Sequence, residues 1–374
     1  MTLILKALTG CNLRCAYCSV GDKSRPKSMD RERMLDALRF FARHVRQRGK
    51  TEASVIFHGG EPLLLPPEQY DYCISAVRAE FPDLNLDMLM QSNGLLLNET
   101  WLDLLEKHKI SLGLSIDGGQ AVHDGQRRDV SGAPTWQRIM AGLRRLRERG
   151  LHAAALMVVT KAALEADLDF LQIFETLDVP LKVNPLLSLG EALSRPELAL
   201  EPGEYGRFLA RVFRYAAEHS LRLRISPLAE LLTALLFEEK PRGCTFDPLC
   251  SRRFLSIDPE GTVYPCGHFA DGGCFAIGTV AGGITAEGAA RLERLEARRT
   301  CSLPPVCRGC RELPYCAAGC SCDRVFTERT LQEPSAMCQD IKYILNFLRT
   351  EGADILKEQL TTQRDELLAQ LEKA

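Results

Sequence analysis

Three cysteines share one tight loop near the start of the chain: Cys11-Asn12-Leu13-Arg14-Cys15-Ala16-Tyr17-Cys18, a C-x3-C-x2-C arrangement. Tetrahedral zinc wants four ligands, and no fourth cysteine or close histidine stands beside these three. Three thiolates suit instead a [4Fe–4S] cluster that keeps one iron open to an exogenous ligand. A denser run begins at Cys244. It reads Cys244-x5-Cys250, then x10 to Gly261 and x4 to Cys266, followed by Cys307-x2-Cys310-x5-Cys316-x3-Cys320 and finally Cys338. Of 15 cysteines in 374 residues, only Cys73 lies between Cys18 and Cys244. An odd count, a chain too large to need staples and a start (Met1–Leu8) without a secretion layout argue against disulfides. They favour metal binding in a reducing, cytoplasmic setting.

Such loops need a frame to hold them. Six strand patterns (Thr2–Thr9, Ala53–Phe57, Asn85–Gln91, Ile110–Ile116, His152–Val159, Pro180–Pro185) alternate with helical ones. The helices are Met29–Arg48, Glu68–Glu80, Asn98–His108, Thr135–Glu148 and Leu164–Leu177. Alternation of this kind implies a parallel sheet with right-handed crossovers, an α/β fold of the partial (β/α)6 TIM-like kind. The alternative, a Rossmann-like open sheet, lacks its G-x-G-x-x-G after the first strand. The C-terminal strand ends, where such barrels keep their sites, carry Cys11, His58–Pro62, Ser92–Gly94 and Ser115–Gly118.

The expected organisation is a barrel over 1–188 and a bridging helical region over 189–243, with helices near Gly203–His219 and Pro227–Glu238. A small cysteine-rich α+β domain follows over 244–344, then a helical tail over 345–374. Phe254–Asp258 and Thr262–Pro265 flank the turn Pro259-Glu260-Gly261 as a hairpin. The tail stripe Leu356, Leu360, Leu367 and Leu371 is expected to pack over the barrel end, with a peptide clamp as its functional alternative. A formal charge of −2 gives no long-range pull on nucleic acid, and no apolar run approaches the roughly 20 residues of a membrane span.

These residues together resemble the radical S-adenosylmethionine (SAM) enzymes: the cysteine spacing, the aromatic Tyr17 before the third cysteine, and Gly59-Gly60-Glu61-Pro62 after the second strand. The resemblance implies that Cys11, Cys15 and Cys18 hold the cluster and its open iron chelates SAM. It places Tyr17 against the adenine and Gly59, Gly60, Glu61 and Pro62 at the SAM amino group. Glycine at such a point lets backbone approach a ligand. Ser92-Asn93-Gly94 and Leu114-Ser115-Ile116-Asp117-Gly118 are similar to later SAM-side loops, with Ser92, Asn93 and Ser115 as contacts. His123-Asp124-x-x-Arg127 also recurs in the subfamily, without an assignable role. The second cysteine run resembles the SPASM module, which implies two auxiliary [4Fe–4S] clusters. Cys244, Cys250, Cys266 and Cys320 would hold one, and Cys307, Cys310, Cys316 and Cys338 the other. A pair of structural zinc sites is the alternative. Cys73, Cys274, Cys301 and Cys322 remain: Cys73 reads as a small buried hydrophobe, Cys274 and Cys301 as structural, and Cys322 as a candidate replacement for Cys320.

The implied chemistry is reductive SAM cleavage to a 5′-deoxyadenosyl radical that takes hydrogen from a substrate carbon. Two subfamilies share this layout. Sulfatase-maturing enzymes, which oxidise cysteine or serine to formylglycine, carry an aspartate base directly after the third near-cluster cysteine. This chain has Gly267 there, followed by His268. The departure shifts weight to peptide maturases, which crosslink, epimerise or otherwise modify ribosomally made peptides; His268 as a substituted base keeps formylglycine formation as the principal alternative, and otherwise reads as a polar loop residue. Implied partners are a precursor peptide and a one-electron donor such as flavodoxin or ferredoxin; because no winged-helix domain fits before Cys11, leader binding is expected to use another surface of the chain or a separate leader-binding protein. A non-catalytic iron–sulfur electron carrier is the reading from another class.

Overall fold

The computed structural model describes residues 1–20, 25–326 and 333–371, with side chains described to 361. Thirteen strands appear among them: β1 (Thr2–Leu8), β2 (Leu13–Cys15), β3 (Glu52–Gly59), β4 (Asn85–Ser92), β5 (Ser111–Ser115), β6 (Arg127–Asp129), β7 (Ala153–Val159), β8 (Leu181–Pro185), β9 (Ile225–Ser226), β10 (Phe254–Ile257), β11 (Thr262–Tyr264), β12 (Gly278–Thr279) and β13 (Gly283–Ile284). The crossovers are α1 (Arg31–Gln47), α2 (Pro67–Glu80), α3 (Glu99–His108), α4 (Gln120–Gln126), α5 (Trp136–Glu148) and α6 (Phe170–Thr176).

Eleven strands form one sheet, in the order β13-β12-β11-β10-β1-β3-β4-β5-β7-β8-β9. From β1 to β9 every pair is parallel and spatial order follows chain order. A sheet wound in one direction is a barrel's progression; a doubly wound fold reverses at its first strand. The six expected strands are all present.

Local sequence explains the elements. Asp30 caps α1 by accepting from the Arg33 N–H, and Asn98 caps α3 by accepting from the Trp101 N–H. In β3 and β7 residues alternate between buried and half-buried. The buried set (Val55, Phe57, Ala155, Met157 among them) packs outward against the helices. The half-buried set, including Ile56, His58, Leu156 and Val158, faces the inside and keeps open surface. The barrel interior is therefore a lumen rather than a filled core.

The helix expected over Leu164–Leu177 is shorter. A 3-10 turn at Lys161–Ala163 precedes α6, and the Asp167 side chain accepts from the Asp169 N–H at 2.6 Å, an alternative to helical bonding that delays the start.

The hairpin of β10 and β11 is present, with Ser256 opposite Tyr264. Its placement was not foreseen: β10 pairs in parallel with the free edge of β1, Thr2 opposite Phe254 and Leu5 opposite Ile257. The cysteine-rich region thus continues the barrel sheet. Helices α7 (Glu204–Glu218) and α8 (Leu228–Phe237) lie where helices were expected near Gly203–His219 and Pro227–Glu238, and β9 between them joins the barrel sheet beside β8. Beyond them lie α9 (Cys250–Arg253), α10 (Gly267–Asp271), α11 (Ala286–Thr300), α12 (Leu313–Cys316), α13 (Ser321–Phe326), α14 (Cys338–Arg349) and α15 (Glu351–Leu371). Phe347 of α14 meets Phe213 of α7 edge-on at 5.5 Å. In α15 Leu356 packs on the core and Leu360 is exposed. Leu367 and Leu371 lie outside the described side chains. Among the described residues no helix is long and apolar enough to cross a membrane.

Phe57 is fully buried and meets Tyr70 edge-on at 5.0 Å. Phe57→Ala is expected to cost about 3–5 kcal/mol of stability in denaturant melts. Phe237→Ala, at a residue 73% exposed, is expected to stay within about 0.5 kcal/mol.

Candidate active site

The first thiol loop is clamped from two sides. β2, which runs through it, pairs antiparallel with β6: Leu13 opposite Asp129 and Cys15 opposite Arg127. From the other side the loop after β3 docks backbone to backbone, Gly60 N–H to Leu8 O at 2.8 Å and Glu61 N–H to Gly10 O at 2.9 Å. A Cβ on Gly60 would stand 1.9 Å from Gly10 O, and one on Gly59, at φ +127°, 2.2 Å from Leu8 O. The glycine pair is thus required by this docking, where the sequence suggested approach to a ligand.

The sulfurs of this loop receive donors. The Leu13 N–H lies 3.3 Å from Cys11 Sγ, and Asn93 Nδ2 lies 3.8 Å from the same atom. Arg127 Nη1 is 3.8 Å from Cys15 Sγ. Burial pushes the Cys11 thiol up to about 12. A metal must therefore displace its proton, and the surrounding donors and cation fit a thiolate cluster with one iron open to SAM.

The motif His123-Asp124-x-x-Arg127 now has a structural account. Asp117 is fully buried and accepts from Arg127 Nε at 2.8 Å, Gln126 Nε2 at 3.3 Å, the Val158 N–H at 3.0 Å and the Tyr17 hydroxyl. Arg127 also lies over the Tyr17 ring, 5.3 Å from its centre. His123 Nδ1 accepts from the Asp117 N–H at 3.2 Å, and Asp124 accepts from the Thr135 and Trp136 N–H groups at the start of α5. The network fixes both the thiol loop and Tyr17. Sequence reasoning named these residues without seeing that they share one ion pair.

Glu61 is buried, accepting from Ser92 Oγ at 2.7 Å, the Asn93 N–H at 2.8 Å and the Leu63 N–H at 3.0 Å. It thereby joins the Gly59–Pro62 and Ser92–Gly94 loops. Ser115 sits at the end of β5 and accepts from Gln91 Nε2 at 3.0 Å. Gln91 was not singled out from sequence, although its inward position on β4 follows from strand alternation.

Across the lumen mouth lies a charged set missed in the sequence. Lys6 of β1 and Asp271 of α10 form a buried ion pair at 2.6 Å, and Ser19 Oγ donates to the second Asp271 oxygen at 2.8 Å. His58 and His268 face this pair. His268 keeps open surface although protein surrounds it, and its pKa is lowered, first by burial.

The later cysteines gather in two groups. Cys244, Cys250, Cys266 and Cys320 lie within electrostatic reach of one another. Cys307, Cys310, Cys316 and Cys338 line one cavity with apolar Leu313, Ala318, Met337 and Ile341. Cys322 joins the first group, its Sγ 3.3 Å from that of Cys266. Cys73 is buried within the α2 packing, Cys274 lies half-buried near Cys266, and Cys301 is exposed. Among the described residues no three thiol, imidazole or carboxylate groups converge closely enough to hold a single metal ion.

Residues 5–171 match the radical SAM superfamily. The chain carries a radical SAM domain there and is an enzyme of radical chemistry, which sets aside the electron-carrier reading; the domain implies a [4Fe–4S] cluster and SAM. Curated relatives include the cysteine-type anaerobic sulfatase-maturating enzyme of Clostridium perfringens, 28% identical over 287 residues, covering 71% of this chain and 74% of that one. The serine-type enzyme of Bacteroides thetaiotaomicron is 24% identical, covering 95% and 90%. Among solved structures, native anSMEcpe with bound AdoMet superposes with a TM-score of 0.81 at 22% identity, covering 95% and 98%. Streptococcus suis SuiB bound to precursor peptide SuiA gives 0.64 at 16%, covering 90% and 75%. These structural likenesses concern the fold.

Arg127→Ala leaves Asp117 charged, buried and unpaired, a loss of about 3–5 kcal/mol; the measurement is denaturant melting of the apoprotein, with the first cluster's iron loading reduced alongside. Burial, outweighing the three hydrogen bonds, raises the Glu61 pKa from 4.5 to about 7. The folded state then keeps a proton that the unfolded state releases, so this group lowers apoprotein stability as pH rises from about 4.5 to about 7. Glu61→Gln is expected to flatten that segment of the stability–pH curve.

Proposed function

We propose that this enzyme modifies a residue of a ribosomally made peptide, using three [4Fe–4S] clusters and SAM. Cys11, Cys15 and Cys18 hold the first cluster, with Gly59–Pro62, Ser92, Asn93, Ser115 and Tyr17 on the SAM side. Cys244, Cys250, Cys266 and Cys320 hold one auxiliary cluster; Cys307, Cys310, Cys316 and Cys338 hold the other. When loaded, the first site would supply the one-electron SAM cleavage that makes a hydrogen-abstracting 5′-deoxyadenosyl radical, and clusters held by the later cysteines would offer an acceptor for the electron released on bond formation. The lumen excludes bulk water around the reacting carbon and holds it in place. A one-electron donor of the flavodoxin or ferredoxin class supplies the reducing electron.

The observation that carries the peptide-maturase reading is the surroundings of Gly267. A Cβ there would face Ile4 Cδ1 at 3.3 Å and Lys6 Cε at 3.6 Å. The position that bears an aspartate base in formylglycine-forming enzymes thus has no side chain, and the Lys6 ammonium beside it is taken by Asp271 at 2.6 Å. Ion pairing depresses the basicity of Asp271 and leaves neutral His268 to take the substrate proton. Likeness to SuiB, solved with its precursor peptide, supports the same reading.

Formylglycine formation is the second reading, favoured by the curated relatives and by Asp271 itself, one helical turn beyond Gly267. Reduced holoenzyme with SAM is expected to release 5′-deoxyadenosine and methionine. Incubated with a cysteine-containing precursor peptide, the holoenzyme is expected to give a peptide lighter by two hydrogens per crosslink, and His268→Gln to keep SAM cleavage but lose most product. Conversion of a sulfatase-derived cysteine peptide to the aldehyde by the wild type would reverse the order of the two readings.

A further inference from the structure

Two arginines lie buried in the cysteine-rich region, Arg299 at 4% and Arg324 at 1% exposure. Neither forms a salt bridge among the described residues. Arg299 of α11 donates Nε to Ala317 O at 3.1 Å, Nη1 to Cys244 O at 3.3 Å and to Cys250 Sγ at 3.1 Å, and Nη2 to Thr245 O. Arg324 of α13 donates Nη2 to Ala318 O, while its Nε and Nη1 have no hydrogen-bond partner among the described residues.

Ala317 and Ala318, with Gly319, form the short bridge between Cys316, in one thiol group, and Cys320, in the other. Both adopt left-handed backbone, φ 45° and 59°, which costs a non-glycine residue of order 1 kcal/mol each. The two guanidinium groups grip the two consecutive carbonyls of that bridge. Each also reaches one thiol group: Arg299 contacts Cys250, and Arg324 acts electrostatically on Cys307. Asp323, a neighbouring acid, acts electrostatically on both and accepts from Ser335 Oγ, but one carboxylate cannot balance two buried guanidinium groups.

A buried cation without an opposite charge is strongly unfavourable, and an unmade N–H bond adds to the cost. Both costs vanish if the neighbouring thiols are ionised and metal-bound, because four thiolates outweigh the charge of an oxidised [4Fe–4S] core. We propose that Arg299 and Arg324 are the charge and hydrogen-bond partners of the two auxiliary clusters, one each: Arg299 for the Cys244, Cys250, Cys266 and Cys320 group, Arg324 for the Cys307, Cys310, Cys316 and Cys338 group. Donors to cluster sulfur and nearby positive charge favour the reduced, more negative state and so raise its potential. The pair thus makes the two sites electron acceptors. This inference rests on the three-cluster reading above.

The test uses full-length protein grown with guanidino-15N arginine, reconstituted anaerobically, with iron and acid-labile sulfide counted before partial reduction. Pulsed paramagnetic resonance is expected to show weak nitrogen-15 coupling to both auxiliary signals in the wild type, a readout that needs no variant to fold. Arg324→Lys is expected to remove the coupling from one signal and lower its midpoint potential; Arg299→Lys does the same to the other. Full iron and sulfide with no nitrogen coupling and unmoved midpoints would overturn the arginine assignment alone. Iron for one cluster only would overturn the three-cluster reading and this inference with it.

Discussion

The buried ion pair between Asp117 and Arg127 is the contact on which the site depends. Asp117 closes the end of β5, receives the Val158 N–H from β7 and holds the Tyr17 hydroxyl. Arg127 opens β6, pairs with the first thiol loop through β2 and reaches Cys15 Sγ. One carboxylate thus fastens two sheet strands to a loop that has no regular structure beyond three residues of strand. A buried pair of this kind contributes little when compared with apolar packing, but its loss leaves a charge with no solvent to screen it. The thiol loop is rigid because it is tied to that pair, not because of its own sequence.

A second constraint joins the two cysteine regions. β10 completes the exposed edge of β1, and α10, which starts after Cys266, carries Asp271 to Lys6 of the same strand. Ser19, next to Cys18, hydrogen-bonds that aspartate. Asp271 therefore ties the first thiol loop, through Ser19, and β1, through Lys6, to the helix that follows Cys266. The unpaired strand edge is covered by the region that must stay in register with it, which also removes an aggregation-prone surface.

Much of this was legible in the chain. Short apolar runs bounded by breakers, alternating with helical stripes, placed the six barrel strands, although β1 is buried on both faces over its second half. The resemblance to the SPASM module grouped Cys307, Cys310, Cys316 and Cys338, which the structure brings to one cavity. Long-range pairing was not legible. Nothing local to Phe254–Ile257 says that it joins β1, about 250 residues earlier in the chain. The role of Arg127 was likewise hidden, since its partner Asp117 and its sulfur contact Cys15 lie on other elements. The glycine pair at 59–60 was recognised, but its reason differed: the crowding comes from Leu8 and Gly10 backbone. Asp271 escaped notice because a single aspartate in a short helix carries no pattern, and only the fold sets it against Lys6 and below Gly267.

The central claim is that the thiols form three separate cluster sites on one frame, with the first reserved for SAM. Iron and sulfide analysis of anaerobically reconstituted protein, wild type beside the Cys11/Cys15/Cys18 triple alanine variant, tests it most directly. The account predicts about twelve irons and as many sulfides per chain in the wild type, falling by about one third in the variant, with SAM perturbing only the wild-type spectrum. Zinc without sulfide, or a variant that keeps a SAM-responsive cluster, would contradict it.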